Sequence, residues 1–527
     1  MHANSKITPY TKNSKCKIKI IFHHLIEKAE VMRNRPQYSK SGFAVYLMAA
    51  LLFVLPAATA QAASFDDGLN AYNRGDYQTA FQIYKGLAAQ GNPRAQNNLA
   101  NLYDMGQGVA RDLRQAAYWY GKAAAQGHSI AQYNLGNMYD YGQGMPQNYA
   151  EALKWYQLAA EKGYRKAQNN LGIMYDRGKG VPQSYGTAAR WYRKAAEQGF
   201  DKAQFNLGYM YKVGEGVPKN QAMAAEWFRK AAGQGHAKAQ FKLGGMYDSG
   251  QGVEKSYEQA AQWYQKAAGK GHMKAQFNIG NMYDFGQGVV QNYQQAVQWY
   301  RKAAEQGHAS AQNSLGNMYD KGLGVPSSLE TAATWYRKAA EQGHSLAQFN
   351  LGTMYQHGQG LPQDYAQSMS WYRKAADQGH SKAQNNIGLM YDQGKGVERN
   401  LQTAVQWYQK AADGGFPLAQ YNVGSMYELG EGVLQNYEKA AEWYQKAADQ
   451  GHGLAQNYLG ALYHQGKGMP QDFVKAHMWY NLAAAKLKPG KDQDMAVKNR
   501  DKVTKLLQPE QLTEAQRLAG NWQTQKK

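Results

Sequence analysis

Small and apolar residues recur along most of this chain at a fixed interval. The step Ala-Gln occurs eleven times, and each of the ten intervals between its occurrences is 36 residues. We number positions within each repeat from this alanine, which is position 1. The alanines are Ala95, Ala131, Ala167, Ala203, Ala239, Ala275, Ala311, Ala347, Ala383, Ala419 and Ala455. A period between roughly 20 and 50 residues, kept without insertions, predicts a solenoid of stacked supersecondary units.

Within one repeat, the apolar spacing predicts two helices that are joined by a glycine turn. In the repeat that begins at Ala275, Ile279 and Met282 follow at helical spacing and predict a first helix over positions 1 to 10. Tyr293 and Ala296 open a second helical pattern over positions 19 to 32. Positions 12 and 14 are Gly in all eleven repeats, which lets the chain turn through positive φ. Each repeat is therefore predicted to be an antiparallel helix pair.

Two adjacent aromatic residues mark the second helix. Position 25 is Trp in all eleven repeats, and position 26 is Tyr in ten and Phe228 in the other. Neighbours on a helix point about 100° apart, so one ring should pack on its own first helix and the other on the adjoining repeat. Position 6, which is Gly in ten repeats, predicts a close approach by one of these rings. The tryptophans predicted to form the repeat core are Trp119, Trp155, Trp191, Trp227, Trp263, Trp299, Trp335, Trp371, Trp407, Trp443 and Trp479.

The pattern A-Q-x-N-L-G-x-M-Y-x-x-G-x-G-V, followed by A-x-x-W-Y-x-K-A-A-x-x-G, resembles the Sel-one-like repeat, a relative of the tetratricopeptide repeat. The likeness extends over about residues 66 to 522. The resemblance implies an all-α fold: a right-handed α/α superhelical solenoid of eleven helix-turn-helix repeats with N- and C-terminal capping helices. It also implies a non-enzymatic adaptor for protein complexes, often exported to the cell envelope or into contact with a host. Some relatives carry a disulfide in every repeat. Those cysteines are missing here, which argues against the β-lactam binding tied to that branch.

The two ends depart from the repeat. Residues 64–94 are predicted to form an atypical, tetratricopeptide-like first repeat, in which Leu69 stands at position 6. The eleven repeats occupy residues 95–488, and residues 489–527 are predicted to form a C-terminal helical cap. Two amphipathic helices around Gln508-Pro509 should close the last apolar face. Solenoids need such end units because a terminal repeat has no neighbour to cover it.

The start of the chain is typical of an export signal. An uncharged apolar stretch with small residues at its end predicts a signal peptide over residues 32–63, with an uncleaved membrane anchor as the alternative. Residues 1–31 are interpreted as an over-extended start or a disordered leader. Cys16 is the only cysteine, so no disulfide is available beyond it. We therefore expect the protein in the periplasm or outside the cell, or anchored in the inner membrane by this segment alone.

Charge adds little to this picture. The formal net charge is +21, of which the first 63 residues contribute +7 (nine basic minus two acidic) and the remainder +14 (51 minus 37). The basic residues form no long run, which favours a solvated surface over a nucleic-acid footprint. Nucleic acid is therefore not an expected partner.

Reactive-looking residues recur with the repeat and are interpreted as structural. Seven histidines stand at position 34, where other repeats have Tyr or Phe, so packing or turn chemistry is expected. Asp at position 10 is expected to accept hydrogen bonds from turn amides, and Gln at position 2 and Asn at position 4 to bind backbone groups. Lys at position 28 is expected to be solvated, with a phosphate- or glycan-tracking role as the minority interpretation. No metal-ligand spacing and no nucleophile motif stands out, so we predict no enzyme, metal or cofactor.

Binding is expected where the repeats differ from one another. Positions 3, 7 and 11 lie one turn apart on the first helix, which lines the concave groove in solenoids of the kind that this chain resembles. The candidate groove residues are Tyr133, Asn137, Tyr141, Phe205, Tyr209, Phe241, Phe277, Asn281, Phe285, Phe349, Thr353, His357 and Tyr421. Rings and amides suit a peptide or protein partner. A glycan or peptidoglycan ligand is the second hypothesis, and a cell-wall hydrolase the third. The position 3 aromatics are equally consistent with half-buried core residues.

Overall fold

The computed structural model describes residue 27 and residues 63 to 525. The predicted leader and signal peptide lie outside the described residues, apart from Glu27 and Ala63. Residues 63 to 525 form 26 α-helices and no strand, so the predicted all-α solenoid class is confirmed. None of the helices described there combines the length and the apolar character needed to cross a membrane.

The helices follow one another as hairpins. The N-terminal hairpin is α1 (Phe65–Asn73) and α2 (Tyr77–Ala89). The first helices of the eleven repeats are α3 (Pro93–Met105), α5 (Ser129–Tyr141), α7 (Arg165–Arg177), α9 (Asp201–Val213), α11 (Ala237–Ser249), α13 (Met273–Phe285), α15 (Ala309–Lys321), α17 (Ser345–His357), α19 (Ser381–Gln393), α21 (Pro417–Leu429) and α23 (Gly453–Gln465). The second helices are α4 (Leu113–Ala125), α6 (Tyr149–Glu161), α8 (Tyr185–Glu197), α10 (Gln221–Gly233), α12 (Tyr257–Gly269), α14 (Tyr293–Glu305), α16 (Leu329–Glu341), α18 (Tyr365–Asp377), α20 (Leu401–Asp413), α22 (Tyr437–Asp449) and α24 (Phe473–Lys486). The C-terminal cap is α25 (Lys491–Thr504) and α26 (Pro509–Gln525).

The chain divides into two compact units, and the boundary falls within α8 between Trp191 and Tyr192. The described part of the first unit, residues 63 to 191, contains the N-terminal hairpin and the first repeats. The second unit contains the remaining repeats and the C-terminal cap. Each unit is built from the same helix pairs.

Local signals account for the ends of these helices. In the repeat of α13 and α14, Gly286 ends α13 in the left-handed conformation with φ +68°. The Asn292 side chain then caps α14 by accepting a hydrogen bond from the Gln295 amide at 2.9 Å. Asn, Asp and Ser are favoured at this cap because their side chains satisfy otherwise unpaired amides. The predicted spans of both helices agree with the structure to within two residues.

The second turn glycine, at position 14, is required for two reasons. Gly288 has φ +68°, and a Cβ there would stand 2.2 Å from the carbonyl oxygen of Tyr257. Tyr257 is the first residue of the second helix in the preceding repeat. The turn of one hairpin therefore rests on the backbone of its neighbour, and only glycine fits.

Within each unit, apolar clusters join one hairpin to the next. One cluster joins Ala296 and Tyr300 of α14 to Leu315 and Met318 of α15, and Trp335 of α16 packs against it. Trp335 thus packs against the second helix of the preceding repeat. Nine of the eleven tryptophans are half-buried, while two are buried.

The terminal hairpin and cap show how the ends are closed. In the N-terminal hairpin, Gly68 faces the Tyr84 ring, and Leu69 is exposed. The assignment of Leu69 to position 6 is therefore wrong by one residue. At the other end, Trp522 of α26 lies edge-on to Trp479 with ring centroids 6.1 Å apart. The predicted capping helices are confirmed.

Candidate functional site

The tyrosine at position 26 ties the two helices of a repeat together by its hydroxyl. Tyr300 is buried, and it donates to Asn281 Oδ1 at 2.7 Å and to Asp284 Oδ2 at 3.0 Å. Burial raises the pKa of Tyr300 and that of Asp284. The candidate residues Asn137 and Thr353 bind the equivalent hydroxyls at 2.7 and 3.1 Å. Position 7 thus supports the core through one side-chain atom while remaining half-buried.

This network corrects the expectation for the acid at position 10. The carboxylates of Asp140, Asp248, Asp284 and Asp392 lie within hydrogen-bonding distance of a tyrosine hydroxyl, at 3.0 to 3.4 Å. Turn contacts instead use the backbone carbonyl at this position, which accepts from Gln291 in the case of Asp284 at 2.7 Å. The buried tyrosine hydroxyl needs a hydrogen-bond acceptor, and the carboxylate at position 10, one turn beyond position 7, supplies it.

The aromatic residues at position 3 stack on the histidines at position 34. Phe277 lies 4.7 Å from the His308 ring centroid at an interplanar angle of 25°, and 5.9 Å from Tyr300. All six candidate rings at this position are half-buried and contact the ring at position 34. Phe205, Phe241, Phe277 and Phe349 stack on a histidine. Tyr421 is tilted on His452, and Tyr133 lies edge-on to Tyr164. Most of each ring therefore serves packing, and a role in binding stays a prediction.

The same histidines cap the first helix of the next repeat. His308 Nδ1 accepts a hydrogen bond from the Ala311 amide at 3.2 Å. Burial lowers the pKa of His308, in keeping with a neutral ring that acts as an acceptor. The expected packing and turn roles are both confirmed. Across residues 63 to 525, no group of three or more His, Cys, Asp or Glu side chains could hold a metal ion.

Amide side chains connect neighbouring hairpins. In all eleven repeats the Gln at position 2 donates to a carbonyl of the preceding second helix, as Gln312 does to Ala304 at 3.0 Å. This prediction is confirmed. The Asn at position 4 differs from its prediction, because it bonds side chains: Asn170 donates to Asn137 at 3.2 Å and Asn422 to Asn385 at 2.9 Å. These bonds fix the register between successive first helices.

The lysines at position 28 are not simply solvated. The Lys302 ammonium lies 4.3 Å from the centroid of the Trp299 ring, and six further repeats between Trp227 and Trp443 share this contact. A cation over an indole face is stabilising and covers the ring. The lysine at position 28 therefore packs on the tryptophan at position 25.

Position 11 is the exposed row among the candidates. Tyr141 is 64% and Phe285 67% exposed, and His357 is exposed. Tyr209, at position 7, is also exposed. These side chains stand at or near the end of a first helix, beside the glycine turn.

The structure brings some candidates together in a cavity between α13 and α15. Asn281 and Phe285 line it from one repeat, and Asn317 and Lys321 from the next. Its volume is about 320 Å³. Equivalent positions of adjacent repeats thus form a single recess, as expected if a ligand follows the row of first helices.

A second cavity contains residues that sequence reasoning missed. Lys238, Lys242 and Lys274 line it together with the candidates Phe205 and Phe241. Its volume is about 350 Å³. One signal was available in the sequence: Lys242 occupies position 4, which is Asn in eight of the eleven repeats.

Comparison with known proteins relates this chain to a family. Among curated proteins, none matches significantly. The structure is similar to that of a protective antigen present in uropathogenic Escherichia coli strains, which displays an SLR fold. That protein shares 40% identity, with a TM-score of 0.79 over 84% of this chain and 94% of that one. A Sel1 repeat protein from Oxalobacter formigenes shares 35% identity, with a TM-score of 0.49 over 59% of this chain and 90% of that one.

The repeat itself decides the assignment. The Sel1 repeat matches eleven times in succession, from residue 93 to residue 486, which is most of the chain. Proteins with this repeat are generally protein–protein interaction scaffolds and generally not enzymes. The chain belongs to the Sel1 repeat family.

Proposed function

We propose that the protein is an exported, non-enzymatic scaffold that binds a peptide or protein partner along the row of first helices. The observation that carries this proposal is the exposure of large apolar side chains at position 11. Phe285 and Leu429 are each more than 60% exposed, and they belong to different repeats of the second unit. Exposed apolar residues in register suit contacts with an extended chain better than single scattered residues do.

The cavity between α13 and α15 supports a peptide in particular. Phe285 offers an aromatic surface, while Asn281 and Asn317 place amides beside it. Rings supply contact area at low entropic cost, and amides can pair with a peptide backbone. Each further repeat would add a similar contact, which is how a solenoid gains affinity for a long ligand.

A glycan or peptidoglycan ligand is the second candidate. The exposed faces of Tyr141 and Phe285 favour it because sugar rings stack on aromatic side chains. The peptide remains the first choice because interaction with proteins is the general role of the family.

Site-specific photo-cross-linking in cells tests the proposal. A photoreactive phenylalanine analogue at Phe285 or at Leu429, both in the second unit, should give a cross-link to the same protein. A control at Gln298, an exposed position on α14, should give none. Equal cross-linking from all three positions would refute a peptide-binding row. The row would also be refuted if no position gave a cross-link and the protein were instead recovered on immobilised peptidoglycan. Fractionation and N-terminal sequencing of the same cells test export.

A further inference from the structure

The repeat of α9 and α10 lacks the hydrogen-bond network that joins the two helices in repeats such as that of α13 and α14. Phe228 stands at position 26 and has no hydroxyl to donate. Position 7 is Tyr209, which is exposed, and position 10 is Lys212 in place of an acid. In the repeat of α13, the same three positions form one bonded set. The changes are concerted, since a lysine could not accept the hydrogen bond of a tyrosine hydroxyl.

A further basic residue follows in the next repeat. Lys242 takes position 4 of α11 and is half-buried. Its pKa is lowered by burial and by the charges of Lys212 and Lys274. Most other repeats have an acid at position 10 and an amide at position 4. Lys212 and Lys242 replace them here, and the two cations lie close enough to repel each other.

Lys242, but not Lys212, lines the second cavity. Lys238 and Lys242 lie one turn apart on α11, and Lys274 stands at the start of α13. Phe205, Phe241 and His272 provide an aromatic wall, in which Phe241 and His272 stack with centroids 4.5 Å apart. Within residues 63 to 525, none of the three lysines forms an ion pair. We call this set of six residues the lysine pocket.

We infer that the lysine pocket binds an acidic, aromatic-containing segment of the peptide partner, with carboxylates on the lysines and a ring against Phe205 and Phe241. This inference rests on the proposed function. Three unpaired cations around one recess favour negative charge. The pairing is stronger at Lys242, which is half-buried, than at the exposed Lys238 and Lys274. A free phosphate would satisfy the lysines but leave the aromatic wall uncovered. An acidic peptide satisfies both.

Fluorescence anisotropy on the full chain tests the inference. The probe is a fluorescein-labelled decapeptide of alternating Glu and Phe, with a Gln-for-Glu peptide as its neutral match. The acidic peptide should bind, and the neutral one should bind at least tenfold more weakly. The variant Lys242→Asn restores the residue that eight repeats carry, so the fold is kept. It should weaken binding of the acidic peptide by roughly tenfold, the usual effect of losing one charged contact.

The matched control is Lys382→Asn. Lys382 is exposed and precedes Ala383 as Lys238 precedes Ala239, but Asn386 holds position 4 in that repeat. This variant should bind as the wild type does. Equal loss in both variants would mean that the peptide senses only the net charge, and the inference would fail. Other repeats have Asn at position 3. The variant Phe241→Asn should therefore keep the fold, and it should also weaken binding of the acidic peptide.

Two other ligands distinguish a peptide from the remaining ligand classes. If inorganic phosphate or an oligosaccharide of uronic acids binds to the full chain and the acidic peptide does not, the assignment to a peptide is overturned. The proposed function fails separately, because its test uses Phe285 and Leu429, which lie outside the lysine pocket. A partner that cross-links at those positions and is unaffected by Lys242→Asn would refute only the pocket.

Discussion

The ring of Tyr156 lies against the α-carbon of Gly136, so that a Cβ added to Gly136 would stand 2.7 Å from Tyr156 Cδ1. The two residues belong to the two helices of one repeat, and the same contact recurs between Gly280 and Tyr300. The missing side chain therefore sets how closely the helices approach. A mid-helix glycine lowers helix stability by about 1 kcal/mol relative to alanine. The buried ring offsets this cost.

Gly136→Ala should therefore destabilise its repeat by about 1–2 kcal/mol, because overpacking exceeds the gain in helix propensity. Gly121→Ala is the matched control. Gly121 lies within α4 in the same unit, with open space where a Cβ would be, so this change should stabilise by about 0.5–1 kcal/mol. Long repeat arrays need not unfold in two states, so amide hydrogen exchange of α4 to α6 is the suitable measurement. Stabilisation by both changes would disprove the steric explanation.

The glycines of the turns allow backbone strain to be separated from close approach. Gly288 and Gly307 both have positive φ, at +68° and +91°. A Cβ on Gly288 would meet the Tyr257 backbone, while one on Gly307 would meet nothing within 4 Å. Gly307→Ala should cost about 1–2 kcal/mol, the usual penalty of the left-handed region. Gly288→Ala should cost at least about 3 kcal/mol and separate adjacent hairpins. Amide hydrogen exchange of α12 to α15 compares the two variants, and equal losses of protection would show that the contact is unimportant.

Periodicity alone predicted the helix pair, the turns and the close approach at position 6. It could not decide which of two adjacent aromatic residues meets the glycine. The structure assigns Tyr156 to Gly136 and places Trp155 against the core cluster of the preceding hairpin. Ala100 takes position 6 in one repeat, so the steric limit is not absolute at every site.

Pairing between repeats is where sequence reasoning was weakest. Every position recurs with the same period, so the period carries no information about which positions touch. The stacking of Phe277 on His308, and the bond from Tyr300 to Asp284, became evident only from the geometry. Departures from the repeat, such as Lys242, are the more informative signal for a site.

Packing and exposed positions should respond differently to truncation. Trp299 is half-buried against the neighbouring core and covered by Lys302, so Trp299→Ala should cost about 3 kcal/mol. Phe285 is 67% exposed, and Phe285→Ala should change stability by less than about 0.5 kcal/mol. Hydrogen exchange of α13 and α14 measures both in the same repeat. Similar losses would contradict the division into core and binding positions.

Lowering the pH should weaken the helix N-caps in which a histidine side chain accepts the hydrogen bond. Burial holds the pKa of His308 below its usual value of 6.5, and the pKa of His272 and of His344 is lowered in the same way. The unfolded chain then binds more protons than the folded one as the pH falls below about 6.5. Stability is complete above that pH and declines on acidification. Protonation also removes the Nδ1 acceptor and places a cation at a helix N-terminus.

His308→Asn separates this linkage from other titrations, because Asn is a good N-cap and does not ionise. At pH 7.5 the variant should be slightly less stable, since it loses the stack on Phe277. Between pH 6.5 and 5.5 the wild type should lose stability in α15 faster than the variant, so the difference between them shrinks or reverses. Hydrogen exchange of α15 at both pH values measures this difference, with α21 as the internal control because Phe416 precedes it and makes no side-chain cap. A constant difference across this range would show that the pKa of the His308 imidazole is the same in the folded and the unfolded chain.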